Sequence, residues 1–226
     1  MDAAARTALA ERYHSVRSRI PPGVTLVAVS KTRSVEEIKA LYDLGHRAFG
    51  ENYPQELREK QPMLPADIEW HFIGHLQTNK VKYIAPFVHL VHGVDSIKLL
   101  DELDRRAAQH GRTQDVLLQV HIAAEETKHG FGADEVLALG AAPWSWKNLV
   151  VRGLMGMASN TSDHAQVLHE FEVLRGVFDQ LAGSFGPRFD TLSMGMSADV
   201  KEALAAGSTL LRVGTAIFGE RDYSAA

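Results

Sequence analysis

Cysteine is absent from this chain of 226 residues. The absence excludes disulfide bonds, thiolate metal ligands and cysteine nucleophiles, and it fits a cytoplasmic location. Long apolar runs are lacking as well, and residues 1–20 mix polar and apolar side chains. The sequence therefore predicts neither a signal peptide nor a membrane span.

A strong charge of either sign is also missing, because the formal net charge is only −4. We therefore expect no chain-wide affinity for nucleic acid or for an anionic membrane. The chain has no GxSxG elbow, no Walker A sequence and no HExxH motif. Four histidines (His71, His75, His89 and His92) lie close together in sequence but lack a known metal-ligand spacing, so no metal site is predicted.

What the chain does have is a regular alternation of strand and helix patterns. An amphipathic helix over residues 1–20 ends at a Pro-Pro pair. Strand-like runs then recur at 26–31, 47–52, 68–74, 90–94, 116–122, 149–155, 189–193 and 210–213. This rhythm, with no break in composition, predicts an α/β chain with one domain, residues 1–226. The expected fold is a (β/α)8 TIM-type barrel with an extra N-terminal helix.

The main alternative is an open doubly wound sheet. That fold would place a glycine-rich dinucleotide turn after the first strand, where this chain has Ser30-Lys31-Thr32. Helix starts are marked by Ser34 with Glu37 three residues later, by Ser96, by Asp163 and by Ser197, all of which are predicted capping residues.

Lys31 is the most unusual residue at a predicted strand end. In a barrel, functional groups collect at the carboxyl ends of the strands. A lysine partly removed from water there has a lowered pKa, so more of it is the neutral amine that attacks aldehydes. The alternative is a surface lysine whose stem covers the barrel rim.

The last two strands end in small and hydroxyl-bearing residues. The segment after the seventh strand contains Ser193, Gly195 and Ser197, and Gly214-Thr215 follows the eighth. Barrels often bind phosphate at these two loops, where backbone N–H groups approach closely. The alternative is that the glycines only make turns and the serine only caps a helix. An amine facing a phosphate site across one barrel mouth would suit a phosphorylated aldehyde.

Arg212 comes directly before the second of these loops. It is either an ion-pair partner inside the barrel or a donor to a bound ligand. A guanidinium facing a pyridine nitrogen would donate a hydrogen bond and keep that nitrogen unprotonated. The ring would then be a poor electron sink, which favours holding a cofactor over carbanion chemistry.

Several ordered blocks resemble one protein family over essentially the whole chain. The sequence is similar to the pyridoxal phosphate homeostasis proteins, which are related to the N-terminal barrel of alanine racemase, a fold-type III barrel. The blocks that carry the resemblance are LVAVSKTRSVEEI at 26–38, FGENYPQEL at 49–57, WHFIGHLQTNK at 70–80, VHGVDS at 91–96, ETKHGF at 126–131, VRGLMGMAS at 151–159, LSMGMSADVKEAL at 192–204 and LRVGTAIFGER at 211–221.

The resemblance implies a cofactor and a set of residues that bind it. The cofactor is pyridoxal 5′-phosphate (PLP), held as an internal aldimine on Lys31. The resemblance also implies that Arg212 approaches the ring nitrogen and that Asn52 and His75 lie near the ring. The phosphate site would be lined by Ser193, Gly195, Gly214 and Thr215. Lys128 matches a family lysine and is either a second anion contact or an ordinary loop lysine.

The resemblance also implies a carrier rather than an efficient enzyme. The racemase's second domain, which supplies the opposing base, has no counterpart in this chain, so a poor racemase is expected. His121 replaces a family asparagine, which puts any role of that asparagine in doubt. We expect a monomer that buffers PLP and passes it to apo-enzymes. The alternatives are a weak PLP-dependent amino-acid racemase and a Schiff-base aldolase acting on a sugar phosphate.

Overall fold

Eight parallel strands form a closed barrel in the computed structural model, which describes residues 1–125 and 129–220. The strands follow one another around the barrel in chain order, and β8 pairs with β1 from Thr25↔Leu210 to Ala28↔Val213. The predicted (β/α)8 barrel is confirmed. The strands are β1 Thr25–Val29, β2 Ala48–Glu51, β3 Glu69–Phe72, β4 Leu90–Val94, β5 Gln114–Gln119, β6 Leu149–Met155, β7 Thr191–Ser193 and β8 Leu210–Val213.

Helices connect the strands and one additional helix precedes them. After β3, the connection is a 3₁₀ helix, Thr78–Tyr83, and a 3₁₀ turn, Gln61–Met63, follows the third α-helix. Within the part of the chain that the structure describes, no helix combines the length and the apolar character that crossing a bilayer requires. The α-helices are α1 Ala3–Arg17, α2 Val35–Asp43, α3 Pro54–Lys60, α4 Ile97–Gln109, α5 Ala133–Ala141, α6 His164–Gln180, α7 Val200–Ala205 and α8 Thr215–Phe218.

The predicted capping residues Ser34 and Asp163 cap helices in the structure, and Ser197 does not. Ser34 and Glu37 form both hydrogen bonds of the capping box, and Asp163 accepts from two backbone N–H groups at the start of α6. The prediction for Ser197 is wrong, because α7 starts at Val200 with Asp199 as its N-cap. The Ser197 hydroxyl instead accepts from the Gly214 N–H at 3.4 Å. A contact between two loops therefore takes the place of a local cap.

The buried side chains form two separate clusters. The larger lies between the strands and the helices. The smaller comes from six different strands and fills the barrel interior; its members are Val27, Ala48, Leu90, Leu117, Met155 and Leu210. Two residues further along β4 and β8 are His92 and Arg212, which alternation puts on the same inner face. The interior is thus apolar at one level and polar nearer the mouth.

A buried histidine beside β2 predicts a loss of stability in acid. The Nε2–H group of His46 donates to the Ala48 carbonyl at 2.8 Å, and burial lowers the pKa of His46 to about 4. Because the unfolded pKa is about 6.5, the unfolded chain binds the proton preferentially between these values. The contribution of His46 to the free energy of unfolding is fully present above about pH 6.5. It is lost as the pH falls towards 4, and the total loss is about 3 kcal/mol.

Urea unfolding at pH 7 and pH 4.5 measures this contribution. The His46→Gln variant keeps an amide donor but cannot titrate, so its stability is expected to depend less on pH than that of the wild type. Equal pH dependence in the two proteins would contradict the assignment.

Candidate cofactor pocket at the barrel mouth

A pocket of about 270 Å³ opens at the carboxyl ends of β1, β2, β3, β6, β7 and β8. Its volume is close to the roughly 300 Å³ at which small-ligand pockets begin. The lining residues are Val29, Lys31, Asn52, Ile73, Met157, Met196, Ser197, Ala198, Arg212, Gly214 and Thr215. Five of the predicted site residues are therefore brought together: Lys31, Asn52, Arg212, Gly214 and Thr215.

Lys31 lies in a strained turn immediately after β1. The strand ends at Val29, two residues earlier than the predicted end, and Lys31 is half-buried. The next residue, Thr32, has φ +63°, a left-handed conformation that is unfavourable for a β-branched side chain. The Thr32 N–H group donates to Glu56 Oε1 at 2.6 Å, which holds the turn in place. Backbone strain of this kind persists only where the surrounding structure holds it. Here the contact with Glu56 holds the backbone next to Lys31.

A buried ion pair supports the same turn from behind. Lys60 Nζ donates to the Ser30 carbonyl and to Glu51 Oε1, both at 2.9 Å. The Ser30 hydroxyl donates to the same Glu51 oxygen at 2.6 Å. Burial raises the pKa of Glu51, while the charge of Lys60 acts in the opposite direction. The backbone before Lys31 is thus held by a network that lies outside the pocket.

Arg212 is buried inside the barrel and faces the pocket floor. Its Nη1 donates to the Ser193 carbonyl at 2.9 Å and to the Ser193 hydroxyl at 2.6 Å, and its Nη2 donates to the Gly156 carbonyl at 3.1 Å. Burial lowers the pKa of Arg212 to about 10, against the favourable charge of Asp199. The guanidinium therefore stays protonated at neutral pH. Its Nε–H has no acceptor within the described residues, so it remains available to a ligand.

Asn52 contributes an unsatisfied acceptor to the pocket. Its Oδ1 atom is buried and has no hydrogen-bond partner among the residues that the structure describes. A buried polar atom without a partner costs about 1–3 kcal/mol, and a bound ligand with a donor group would remove that cost. This orphaned atom indicates that the pocket is built to hold a polar ligand.

The opposite wall of the pocket combines small residues with hydroxyl groups. Ser197 and Thr215 are exposed at the mouth, and Gly214 lies between β8 and α8. A Cβ atom added at Gly214 would lie 3.2 Å from the Cβ of Val29, so a glycine keeps this wall open. Hydroxyl groups can donate hydrogen bonds to the oxygens of a phosphate.

Three predicted site residues do not line this pocket. The Ser193 side chain is fully buried beneath Arg212. Gly195 has φ +94°, and a Cβ there would lie 2.5 Å from the Cβ of Ala203, so this glycine serves packing against α7. His75 is exposed; its Nδ1 lies 3.0 Å from Asp95 Oδ2. Lys128 lies outside the described residues.

Sequence reasoning missed several lining residues. Met196 and Ala198 lie in the loop after β7, and Met157 follows β6. Ser197 was assigned to a helix cap, although its position between two glycine-containing loops was a signal for the pocket. Ile73 could have been found, because it directly follows β3, two residues beyond His71, and alternation predicts that the two side chains face the same side.

The fold and this pocket define the class of protein: a closed parallel β/α barrel of the alanine racemase N-terminal type. The family described as "Alanine racemase, N-terminal domain" matches residues 5–222. Sequence relatives narrow the class further. The pyridoxal phosphate homeostasis protein of Vibrio alginolyticus is 43% identical over 211 residues, which cover 91% of this chain and 90% of the relative. The chain belongs to this family of pyridoxal phosphate homeostasis proteins, as the sequence resemblance predicted.

Solved structures agree with this assignment. PipY of Synechococcus elongatus PCC7942, solved without PLP, has a TM-score of 0.88 and 37% identity over 93% of this chain and 100% of PipY. The structure of PipY with PLP bound has a TM-score of 0.85, 36% identity and the same coverage. Alanine racemase from Bartonella henselae, at 14% identity and a TM-score of 0.73, covers 96% of this chain and 61% of the racemase; it is similar in fold alone.

Proposed function

We propose that this protein binds PLP as a Schiff base on Lys31 and takes part in PLP homeostasis as a carrier without efficient catalysis. The observation that carries the proposal is the convergence of Lys31, Arg212 and Thr215 on one pocket. Relatives about 40% identical are named pyridoxal phosphate homeostasis proteins, and PipY was solved with PLP bound.

The residues present fit the chemistry of this cofactor. When bound, PLP supplies an aldehyde that reacts with an amine and a pyridine ring that withdraws electrons. Lys31 provides the amine, the hydroxyl groups of Ser197 and Thr215 provide donors for the phosphate, and Gly214 leaves room for it. Arg212 Nε–H is the donor assigned to the ring nitrogen. Because its guanidinium keeps its proton at neutral pH, such a contact would leave the ring nitrogen unprotonated and would weaken the ring as an electron sink.

The lining of the pocket supports holding over racemisation. Racemisation needs two groups that exchange a proton with opposite faces of the substrate. Among the described lining residues, Lys31 and Arg212 are the two with titratable side chains, and Arg212 remains charged with a pKa of about 10. The described lining therefore offers no second side chain that would exchange a proton at neutral pH on the face opposite Lys31.

Transfer of PLP to other proteins and the monomeric state of this chain are also part of the proposed function. We propose that bound PLP passes to PLP-requiring apo-enzymes, because the pocket opens directly at the barrel mouth. A single domain, a monomeric state and a cytoplasmic location complete this proposal, as the sequence predicted. Contacts with apo-enzymes would then form around the mouth.

Two assays on the PLP-loaded protein test the carrier function. In the first, L-alanine and L-serine are supplied and the D-isomers are measured; we expect no turnover near ordinary enzyme rates of about 1–1,000 per second. In the second, a PLP-requiring apo-enzyme is added and its recovered activity is followed, with free PLP at equal concentration as the reference. Rapid racemisation, or failure to activate the apo-enzyme, would contradict the carrier function.

A further inference from the structure

A second group of potential ligands lies at the opposite, amino-terminal end of the barrel. Glu69, His71 and His89 each offer one oxygen or nitrogen atom, and the three atoms lie within 4.8 Å of one another. Glu69 and His71 are two residues apart on β3, so they share its inward face. His89 directly precedes β4, which pairs with β3, and its N–H donates to the Trp70 carbonyl at 2.8 Å.

The buried nitrogen of His71 is a second, independent observation that supports an ion site here. His71 is only 3% exposed, and its Nε2 atom is buried without a hydrogen-bond partner among the described residues. Its other nitrogen, Nδ1, is engaged at 2.9 Å from His92 Nε2. The nitrogen left for a ligand is therefore Nε2. Glu69 and His89 are exposed, so an ion can reach the group from solvent.

We propose that Glu69, His71 Nε2 and His89 bind a divalent transition-metal ion of the Zn²⁺ type. Two imidazoles and one carboxylate form an established ligand set for such ions, with water completing the coordination. The exposed side chains of Glu69 and His89 can rotate to bring all three atoms to the metal–ligand distance of about 2.1 Å. This revises the expectation that the histidines hold no metal, and it is independent of PLP binding.

The hydrogen bonds around His71 suit a metal ligand. A ligating histidine usually donates its second N–H to an acceptor, which fixes the tautomer and the ring orientation. With the ion on Nε2, His71 Nδ1–H donates to His92 Nε2. His92 Nδ1–H then donates to the Ser193 hydroxyl at 3.0 Å. The same hydroxyl accepts from Arg212, so this chain of hydrogen bonds runs from His71 to the pocket floor.

Another histidine cluster at the mouth serves as the comparison. His75, Asp95 and His129 also bring three potential ligand atoms together. Their environment differs, because His75 already pairs with Asp95 at 3.0 Å and its ring stacks on His129 with centroids 4.2 Å apart. Among the described residues, this cluster contains no buried unpartnered nitrogen. It therefore carries no proposal and provides a control.

Zn²⁺ titration of the full chain, after removal of metal with a chelator, tests the proposal. We expect one Zn²⁺ per chain in competition with a chromophoric chelator, and about tenfold or greater weakening in both His89→Ala and Glu69→Gln. His129→Ala should bind as the wild type does. Zn²⁺ should also raise the thermal midpoint of the wild type but not that of His89→Ala. Equal affinity in the wild type and His89→Ala, or a loss confined to His129→Ala, would overturn the site.

Discussion

Replacing Lys31 with alanine is expected to abolish covalent PLP binding. The variant loses the one amine among the described pocket-lining residues, so the absorption band of a PLP–lysine adduct should disappear after loading and dialysis. The barrel should remain folded, because Lys31 lies in the turn after β1 and not in the buried core. Near-ultraviolet and visible spectra measure the adduct, and far-ultraviolet circular dichroism measures the fold.

A matched control separates this effect from the general loss of a lysine. Lys98 is exposed on α4, away from the pocket, and Lys98→Ala should load with PLP as the wild type does. A Lys31→Ala protein that keeps the absorption band would show that another amine carries the cofactor. Loss of the circular dichroism signal would show instead that Lys31 is needed for folding.

Replacing Lys60 with methionine is expected to cause the largest loss of stability. Lys60 is 7% exposed and Glu51 is fully buried, so the variant leaves a carboxylate without its cation. Removing one partner of a buried pair costs about 3–5 kcal/mol. Because burial raises the pKa of Glu51, the variant's stability should also fall as the pH rises and the carboxyl group loses its proton. Urea unfolding at several pH values measures both effects.

Two further variants make this prediction specific. The double variant Lys60→Met/Glu51→Gln has no buried charge to leave unpaired and should recover part of the loss, with little pH dependence. Lys39→Met removes a solvent-exposed pair with Asp43 and should cost less than about 1 kcal/mol. A Lys60→Met loss as small as that of Lys39→Met would contradict the structural role of the buried pair.

The same pair also positions the site. Lys60 donates to the Ser30 carbonyl, and Glu56 accepts from the Thr32 N–H. Two side chains of α3 therefore hold the peptide groups on both sides of Lys31. Lys60→Met should therefore weaken PLP binding even where the protein remains folded. Sequence patterns could not reveal this link, because it depends on how α3 packs against β1 and β2.

Much of the fold was predictable from local sequence. Strand-like runs located all eight strands, and Ser34 and Asp163 marked helix starts correctly, since these signals depend on neighbours along the chain. Ser197 was assigned wrongly because its partner, Gly214, lies on another loop. Local rules favour a cap there, and a tertiary contact overrides them.

The site was predictable in position but less so in side-chain direction. Strand ends located Lys31, Asn52, Arg212, Gly214 and Thr215, all of which line the pocket. The side-chain directions of Ser193 and His75, and the packing of Gly195 against α7, depend on strand register and loop conformation, which sequence does not specify to a single residue.

The amine of Lys31 is proposed to carry the cofactor in a pocket shared with Arg212 and Thr215. Borohydride reduction of the PLP-loaded protein, followed by peptide mass mapping, tests it most directly. We expect a pyridoxyl group on the peptide that contains Lys31. A pyridoxyl group on another lysine, with Lys31 unmodified, would contradict it.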